Sequence, residues 1–288
     1  MTSPSLTYSA PAASLKEYLS YYHDFKVNLN VFEDVDRADY AQLRFNLKGR
    51  NGRLTFVDGH SQALPDAYVV GPTTGNTHVY GEGEIHVFGV GVLPAGWGAI
   101  MPMDASSAVN RVFDAAELFG AMIPQTLRAL RDAASIEARV YIGNRLIERL
   151  VAYENKTVRD FTKMVDDWLA ASLWPNVDDL VRKAGISRRQ VERNCNRYYG
   201  APPKLLARKY RAARAAVRLA NGQADTNDLI AMGFYDQSHF IRELKHFTGL
   251  TPTTIQDNLP MLTRLTIRRT EHVGISPLAA STNPLAEP

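Results

Sequence analysis

Arg188, Arg189, Glu192, Arg193 and Asn196 stand at i, i+1, i+4, i+5 and i+8, which places them on one side of an α-helix. Arg197 lies beside them. Forty-nine residues further on, Gln237, Ser238, Ile241, Arg242 and Lys245 repeat the spacing, with His239 at the margin of that face. These side chains can read base edges in the DNA major groove: Arg pairs with guanine, Gln with adenine, and Glu accepts from the cytosine amine. A solvated polar face uses similar letters. The repetition on a net-basic background favours base reading.

Other residues could do chemistry of a different kind. His60, His78 and His86 could line a metal site, but the spacing a metal-binding barrel needs, two histidines one residue apart and then a glutamate, is absent. Gly96-Trp97-Gly98 follows a strand as a phosphate loop would. Its third glycine is missing, and Pro102 breaks any helix that should follow. Cys195 falls on an inward helix face, and no Ser/His/Asp or Cys/His set is supported. No catalytic residue, metal site or cofactor is therefore expected. Gly89 and Gly91 point the same way on a strand read as central; room for a ligand and tight backbone packing both remain open.

The elements that must position the two polar faces can be read locally. A shift of 49 residues superposes Asp179-Leu180-Val181 on Asp228-Leu229-Ile230, Ser187 on Asp236, Gly200 on Gly249 and Pro203 on Pro252. Each copy reads as helix, turn, helix. Asn176 caps the first helix, with Asp179 completing a box-like cap, and Gly185 ends it. Ser187 and Gln190 form a capping box for the second helix, which stops at Gly200. In the other copy Asp225 and Asp236 are the caps, and Gly233 and Gly249 the stops. Between the copies, Pro202-Pro203 opens a helix that Asn221-Gly222 closes. Leu206, Tyr210, Ala213, Val217 and Ala220 form its narrow apolar stripe. Lys204, Arg208, Arg211, Arg214 and Arg218 are left outside and are expected to meet phosphates. At a rise of ~1.5 Å per residue, such a rod of about 18 residues spans roughly 27 Å. That approaches the ~34 Å of one DNA turn, so two recognition helices could enter successive major grooves.

Charge and composition agree with this. Of 288 residues, 45% are hydrophobic and 22% charged, enough for a core and too apolar for disorder throughout. The net charge of +3 conceals a basic segment: residues 182–218 hold 12 Lys or Arg against the single acid Glu192. One cysteine excludes an intramolecular disulfide and fits a reducing cytosol, hence a cytoplasmic location. No run of about 18 apolar residues predicts a membrane span. The start at Met1 lacks the basic and apolar stretches of a secretory signal.

The C-terminal region resembles the DNA-binding module of the AraC/XylS regulators. The residues that carry the resemblance are Ala184-Gly-Ile-Ser-Arg-Arg-Gln-Val-Glu-Arg193 and Gly200-x-x-Pro203. They continue with Leu229-Ile-Ala-x-Gly-Phe-Tyr-Asp-Gln-Ser-His-Phe240, Arg242 and Phe247-Thr-Gly-Leu-Thr-Pro252. The resemblance implies seven helices and base contacts from Arg189, Glu192 and Arg193, then Gln237, Ser238 and Arg242. It departs from the family at Cys195, where an aromatic is usual.

Residues 15–120 read as short strands: Val27–Phe32, Ala41–Leu47, Arg53–Val57, Ala67–Val70 and Glu84–Leu93. In Ala41–Leu47, Leu43, Phe45 and Leu47 oppose Gln42, Arg44 and Asn46. Turns are expected at Lys48–Gly52, Asp58-Gly59, Gly71-Pro72 and Gly81–Gly83. Helices follow at Asp114–Phe119, Pro124–Arg131, Ile136–Tyr153 and Val158–Ala170. This part resembles the cupin-like effector domains of such regulators, around Gly89–Gly96 and Val112–Gly120. The apolar stripe Ile136, Val140, Ile142, Leu146, Ile147 and Leu150 could pair with a second copy or pack on its own domain; pairing is favoured.

The expected fold class is α+β: an N-terminal antiparallel β-barrel or sandwich, cupin-like, with linker helices, then an all-α double helix-turn-helix domain. The expected domains are 1–120 (β-rich), 121–171 (helical linker and dimerisation region), 172–260 (DNA-binding) and a 261–288 tail, disordered from 271. The expected function is a sequence-specific transcription regulator, an activator by family habit, that binds double-stranded DNA as a homodimer. RNA polymerase and a small-molecule effector are the further partners this reading admits; a membrane is not. The alternatives are a cupin-like metal-dependent enzyme with an appended DNA-binding module, and an architectural DNA-binding protein with little sequence choice.

Overall fold

The computed structural model describes residues 4–267 except 152–154, 173, 232 and 258. The expected disorder from residue 271 lies outside the described residues. Seven strands form one antiparallel sheet in the order β1-β2-β6-β3-β5-β7, with β4 paired to β3. They are β1 (Ser5–Ser9), β2 (Leu19–Asp36), β3 (Ala41–Phe56), β4 (Ser61–Ala63), β5 (Ala67–Val70), β6 (Thr77–Val92) and β7 (Val112–Asp114). The α+β reading holds, with this sheet N-terminal and the C-terminal region helical.

Two expected turns are not turns. Lys48–Gly52 lies inside β3 and Gly81–Gly83 inside β6. Gly49, Asn51 and Gly83 adopt positive φ values of 133°, 51° and 74°. They do so within β-bulges, where register shifts fall between Asn46 and Arg53 of β3 and between Leu29 and Val31 of β2. Arg50 faces Glu82, and Val31 faces Glu82 from the other side. The three long strands therefore bend at one level. A bulge adds a residue to one strand and increases local twist, so this crease rolls the sheet onto itself.

Rolling gives the sheet two different faces. On one, Leu43, Phe45, Leu47, Phe88 and Val90 pack against α1 (Pro94–Ile100), α3 (Met122–Asp132) and α4 (Ile136–Leu150). Between β7 and α3, α2 (Ala115–Phe119) is capped by Asp114. On the other face Gln42, Arg44 and Asn46 line a cavity of about 320 Å³, together with Phe25, Ile85 and Val87. The alternation in β3 thus separates core from cavity rather than core from bulk water.

Gly89 and Gly91 do lie on the cavity face, and close packing explains them. A Cβ on Gly91 would meet Tyr40 Cε2 at 2.2 Å and Ser20 Oγ at 2.3 Å; on Gly89 it would meet His23 Nε2 at 2.6 Å. Gly96 and Gly98 belong to the short helix α1, with Pro94 in its first turn, and not to a phosphate loop. A Cβ on Gly96 would meet the Tyr18 carbonyl oxygen at 2.1 Å.

The stripe on α4 is used by its own domain, which corrects the favoured pairing role. Val140, Leu146 and Ile147 are buried in the core, and Ile136, Ile142 and Leu150 pack against it. Beneath α4, Asp24 bridges His86 Nε2 at 2.7 Å and Arg139 Nη1 at 3.1 Å. Burial raises the Asp24 carboxyl, but the His86 hydrogen bond and the Lys26 and Arg139 charges outweigh it and hold the group low.

Candidate nucleic-acid interface

Helices α5 (Lys156–Ala171), α6 (Val177–Ala184) and α7 (Arg188–Tyr199) build the first unit. Asn176 caps α6, accepting from Asp178 N–H; Asp179 instead pairs with Arg182, so the box expected there does not form. Gly185 supplies the left-handed turn at φ 64°. The Ser187–Gln190 capping box is present on α7. Val191, Cys195 and Tyr199 face inward against Val165, Trp168 and Leu169 of α5. The helix before the repeat thus completes the first unit's core and brings the helices of this region to seven. Burial, then the charges of Asp166 and Glu192, pushes the Cys195 thiol up to about 12. Tyr199 donates to Asp166 Oδ1 at 2.8 Å, and burial raises that carboxyl to about 7.

The second unit repeats this with α9 (Thr226–Ala231) and α10 (Gln237–Thr248), followed by α11 (Pro252–Asp257). Asp225 and Asp228 exchange side-chain to backbone bonds at 2.8 and 3.0 Å, a reciprocal cap on α9. Asp236 caps α10, and Gly249 closes it at φ 76°. Phe240, Leu244 and Phe247 are buried.

The two polar faces emerge as expected from spacing. Arg188, Arg189, Glu192, Arg193 and Arg197 are exposed on α7, and Gln237, Ser238, Arg242 and Lys245 on α10. Residues 180–258 match a protein family described as "Helix-turn-helix domain". The C-terminal module is an AraC-type helix-turn-helix domain. The chain is 35% identical over 97 residues to the F1 operon positive regulatory protein of Yersinia pestis; that match covers 33% of this chain and only 32% of the relative. Among solved structures, ToxT from Vibrio cholerae O395 aligns with a TM-score of 0.44 at 9% identity, covering 83% of this chain and 98% of that one. The AraC-like transcriptional activator CuxR aligns with a TM-score of 0.31 at 12% identity, covering 74% and 87%.

Within the AraC-type module the polar side chains differ in their freedom. Among the described residues, the side chains of Arg189, Arg193, Gln237, Ser238 and Arg242 form no hydrogen bond or ion pair with the rest of the chain. Arg188 pairs with Asp178 across the turn. Asn196 is half-buried and donates to the Glu192 carbonyl at 2.9 Å. His239 turns toward Phe234, with ring centroids 5.9 Å apart. Arg197 reaches outside the module to Asp104 of the N-terminal part, 3.2 Å away. Asp104 carried no sequence signal, since a lone aspartate in a loop has none.

The connector α8 (Pro203–Ala220) has the expected 18 residues, but its cations are engaged inside the protein, not laid out for phosphates. Arg208 holds Glu243 of α10 through two bonds at 3.0 and 2.6 Å. Arg211 lies 3.8 Å over the Trp174 ring and 4.9 Å over that of Phe234. Arg214 donates to the Leu169 and Ser172 carbonyls. Lys209 is buried against the N-terminal part, donating to the carbonyls of Asp39 at 2.6 Å and Thr73 at 2.9 Å. Burial lowers its ammonium to about 8 against the opposing charge of Asp39. Lys204 at the first turn stays exposed.

His60, His78 and His86 do not converge. His60 stacks on Phe56 and pairs with Asp58, His86 lies under α4, and His78 borders an outer groove. Among the described residues, no three His, Cys, Asp or Glu side chains gather at metal-binding distance. Among the same residues, no helix is long and apolar enough to cross a membrane.

Proposed function

We propose that the chain is a sequence-specific transcription regulator that reads two blocks of double-stranded DNA with α7 and α10. The observation that carries this is the duplication: two capped helices present the same exposed, unpaired polar positions on a net-basic background. Arg189, Glu192 and Arg193 read one block, and Gln237, Ser238 and Arg242 the other. Arg188, Arg197, Lys245 and Lys204 supply phosphate contacts that set register. Asn196 and His239 steady their helices from the margin. The 97-residue match at 35% identity to a positive regulatory protein supports activation. The domains we draw are a β-rich part to residue 120, a helical link to 171 whose last helix, α5, packs into the core of the first unit, and the DNA module from 172 to 260. Two copies, RNA polymerase and a small-molecule effector in the cavity complete the reading, with the chain acting in the cytoplasm and carrying no catalytic step. The histidine geometry gives no support to a metal-dependent enzyme.

Selection from a random DNA pool with the full chain tests this. Two enriched blocks about one helical turn apart are expected. Arg193→Ala and Arg242→Ala should each relax a different block, at a cost of about 1–3 kcal/mol for the base read. Binding with a steep salt dependence but no enriched sequence would instead identify an architectural protein.

A further inference from the structure

Arg208, Arg211 and Arg214 stand three residues apart on α8, and each reaches a different part of the module. Arg214 is buried and donates to the Ser172 carbonyl at 2.8 Å and to that of Leu169 in the last turn of α5. Arg211 stands between two rings, 3.8 Å from the centre of Trp174 and 4.9 Å from that of Phe234. Arg208 holds Glu243 of α10, and Arg211 brings a second cation to that carboxylate at 3.6 Å. Burial raises the Glu243 carboxyl, but the Arg208 bond and the charges of Arg208, His239 and Arg211 outweigh it and hold the group low. A ladder thus runs from the helix that completes the first unit, along the connector, to the recognition helix of the second.

Trp174 is the rung that crosses between the units. It lies in the link between α5 and α6, both of which build the core of the first unit. Its ring meets that of Phe234 edge-on, with centroids 5.8 Å apart and planes at 80°. It also lies so close to Gly233 that a Cβ there would not fit. Phe234 packs in turn on Phe240 of α10, centroids 4.7 Å apart, and stands two residues before Asp236, the cap of that helix. Trp174 remains 39% exposed, so burial alone does not explain its place; a guanidinium held between two rings is attracted by both faces. The internal repeat breaks here. Gly185 stands 49 residues before Phe234, and a Cβ on it would meet nothing within 4 Å among the described residues. The second unit carries a contact that the first lacks, and this contact leads back to the first.

The opposite end of α10 is held by the sheet. Ala38 N–H donates to the Phe247 carbonyl at 2.7 Å, and Val35 packs on Gly249. Helix α12 (Met261–Ile267), the start of the segment expected as a tail, is tied to the same strand end: Leu262 N–H donates to Asp34 Oδ2 at 2.8 Å. These contacts lie away from the first turn of α10, the end that meets base edges in a helix-turn-helix.

We propose that Trp174, Arg211 and Phe234 form a brace that sets the first turn of α10 against the first unit, and so fixes the spacing and rotation at which the two DNA blocks are read. This rests on the reading of two blocks by α7 and α10. Trp174 acts through α10 and is a positioning residue. Without the brace, α10 keeps its own side chains and its own block, but its start is free to swing about the end that the sheet holds.

The test uses duplexes that carry the two blocks enriched by the full-length parent, with the spacer between them unchanged or altered by one or two base pairs. Each added base pair moves the second block about 3.4 Å along the axis and about 35° around it. Equilibrium binding of the full-length chain gives the ratio of affinities for the original and altered spacers. The parent should bind altered spacers several-fold more weakly. Trp174→Ala should shrink that ratio several-fold while both blocks keep their sequence. Arg211→Lys keeps the charge and loses the flat cation, so it should follow Trp174→Ala. Trp174→Phe keeps a ring beside the guanidinium and should keep the parent's ratio. Loss of folded protein weakens binding to every duplex alike and leaves the ratio where it was, so a merely structural role does not imitate this result. A ratio unmoved in both Trp174→Ala and Arg211→Lys, or a parent that takes all spacers equally, would overturn the brace while the two-block reading stands. A parent that enriches no blocks overturns the two-block reading itself, and the brace with it.

Discussion

At the scale of single residues, exposure and pairing separate side chains free to meet DNA from those that hold the fold. Arg193 and Arg242 occupy equivalent positions in the repeat, and both are exposed and unpaired among the described residues. Arg214 looks like a phosphate contact in the sequence, yet it binds carbonyls inside the protein, as the buried Lys209 does. The holding residues include Asp166, whose carboxyl is raised to about 7 by burial. A raised carboxyl favours the folded state while it is protonated. Its contribution is full below the unfolded value of about 4 and is lost as pH rises toward 7. Asp166→Asn keeps the acceptor for Tyr199 and removes the titration. Its stability relative to the parent should therefore grow between pH 4 and 7, reaching about 1 kcal/mol after allowing for the group's partial exposure. Thermal melts at several pH values measure this, and a difference that stays flat with pH would count against it.

At the scale of elements, the caps of the DNA module were legible because a cap is a local event. Ser187 and Gln190, or Asp236 and Gly249, fix a helix end with atoms a few residues apart. The crease in the sheet was not legible. A bulge and a turn both call for glycine or asparagine at positive φ, so Lys48–Gly52 and Gly81–Gly83 carried turn chemistry inside continuous strands. What distinguishes them is the partner strand, which sequence spacing does not reveal. The cavity was half visible: Gly89 and Gly91 marked a crowded strand, and the polar half of β3 turned out to line the space. Gly91→Ala should destabilise the chain by about 1–3 kcal/mol, as overpacking does, because the new methyl meets both Tyr40 and Ser20. A urea midpoint no lower than the parent's would mean that Tyr40 can move aside. Ser187→Ala should cost about 1 kcal/mol through the lost cap, a result readable in the same titration.

At the scale of the whole molecule, the N-terminal part lies against the C-terminal ends of α7 and α10. Asn76 N–H donates to the His246 carbonyl, Ala38 N–H to Phe247, and Asp104 takes Arg197. Most of these bonds run between backbone atoms, which have no signature in the sequence. The Asp104–Arg197 pair is more than half exposed on both sides, so it contributes little to stability. Its interest is that it occupies a cation on α7. Asp104→Ala should tighten DNA binding a few-fold at low salt and steepen the salt dependence by about one released ion. Equilibrium binding across a salt series checks both, and an unchanged slope would remove Arg197 from the phosphate contacts.

The chain's single thiol has a practical meaning. Cys195 is fully enclosed and its thiol is driven toward pH 12, so alkylating reagents and spin labels should leave it alone. Cysteines introduced on α7, α10 or α12 could then be labelled one pair at a time in the otherwise native sequence. The distance between the two reading helices becomes a directly measurable coordinate, with and without DNA.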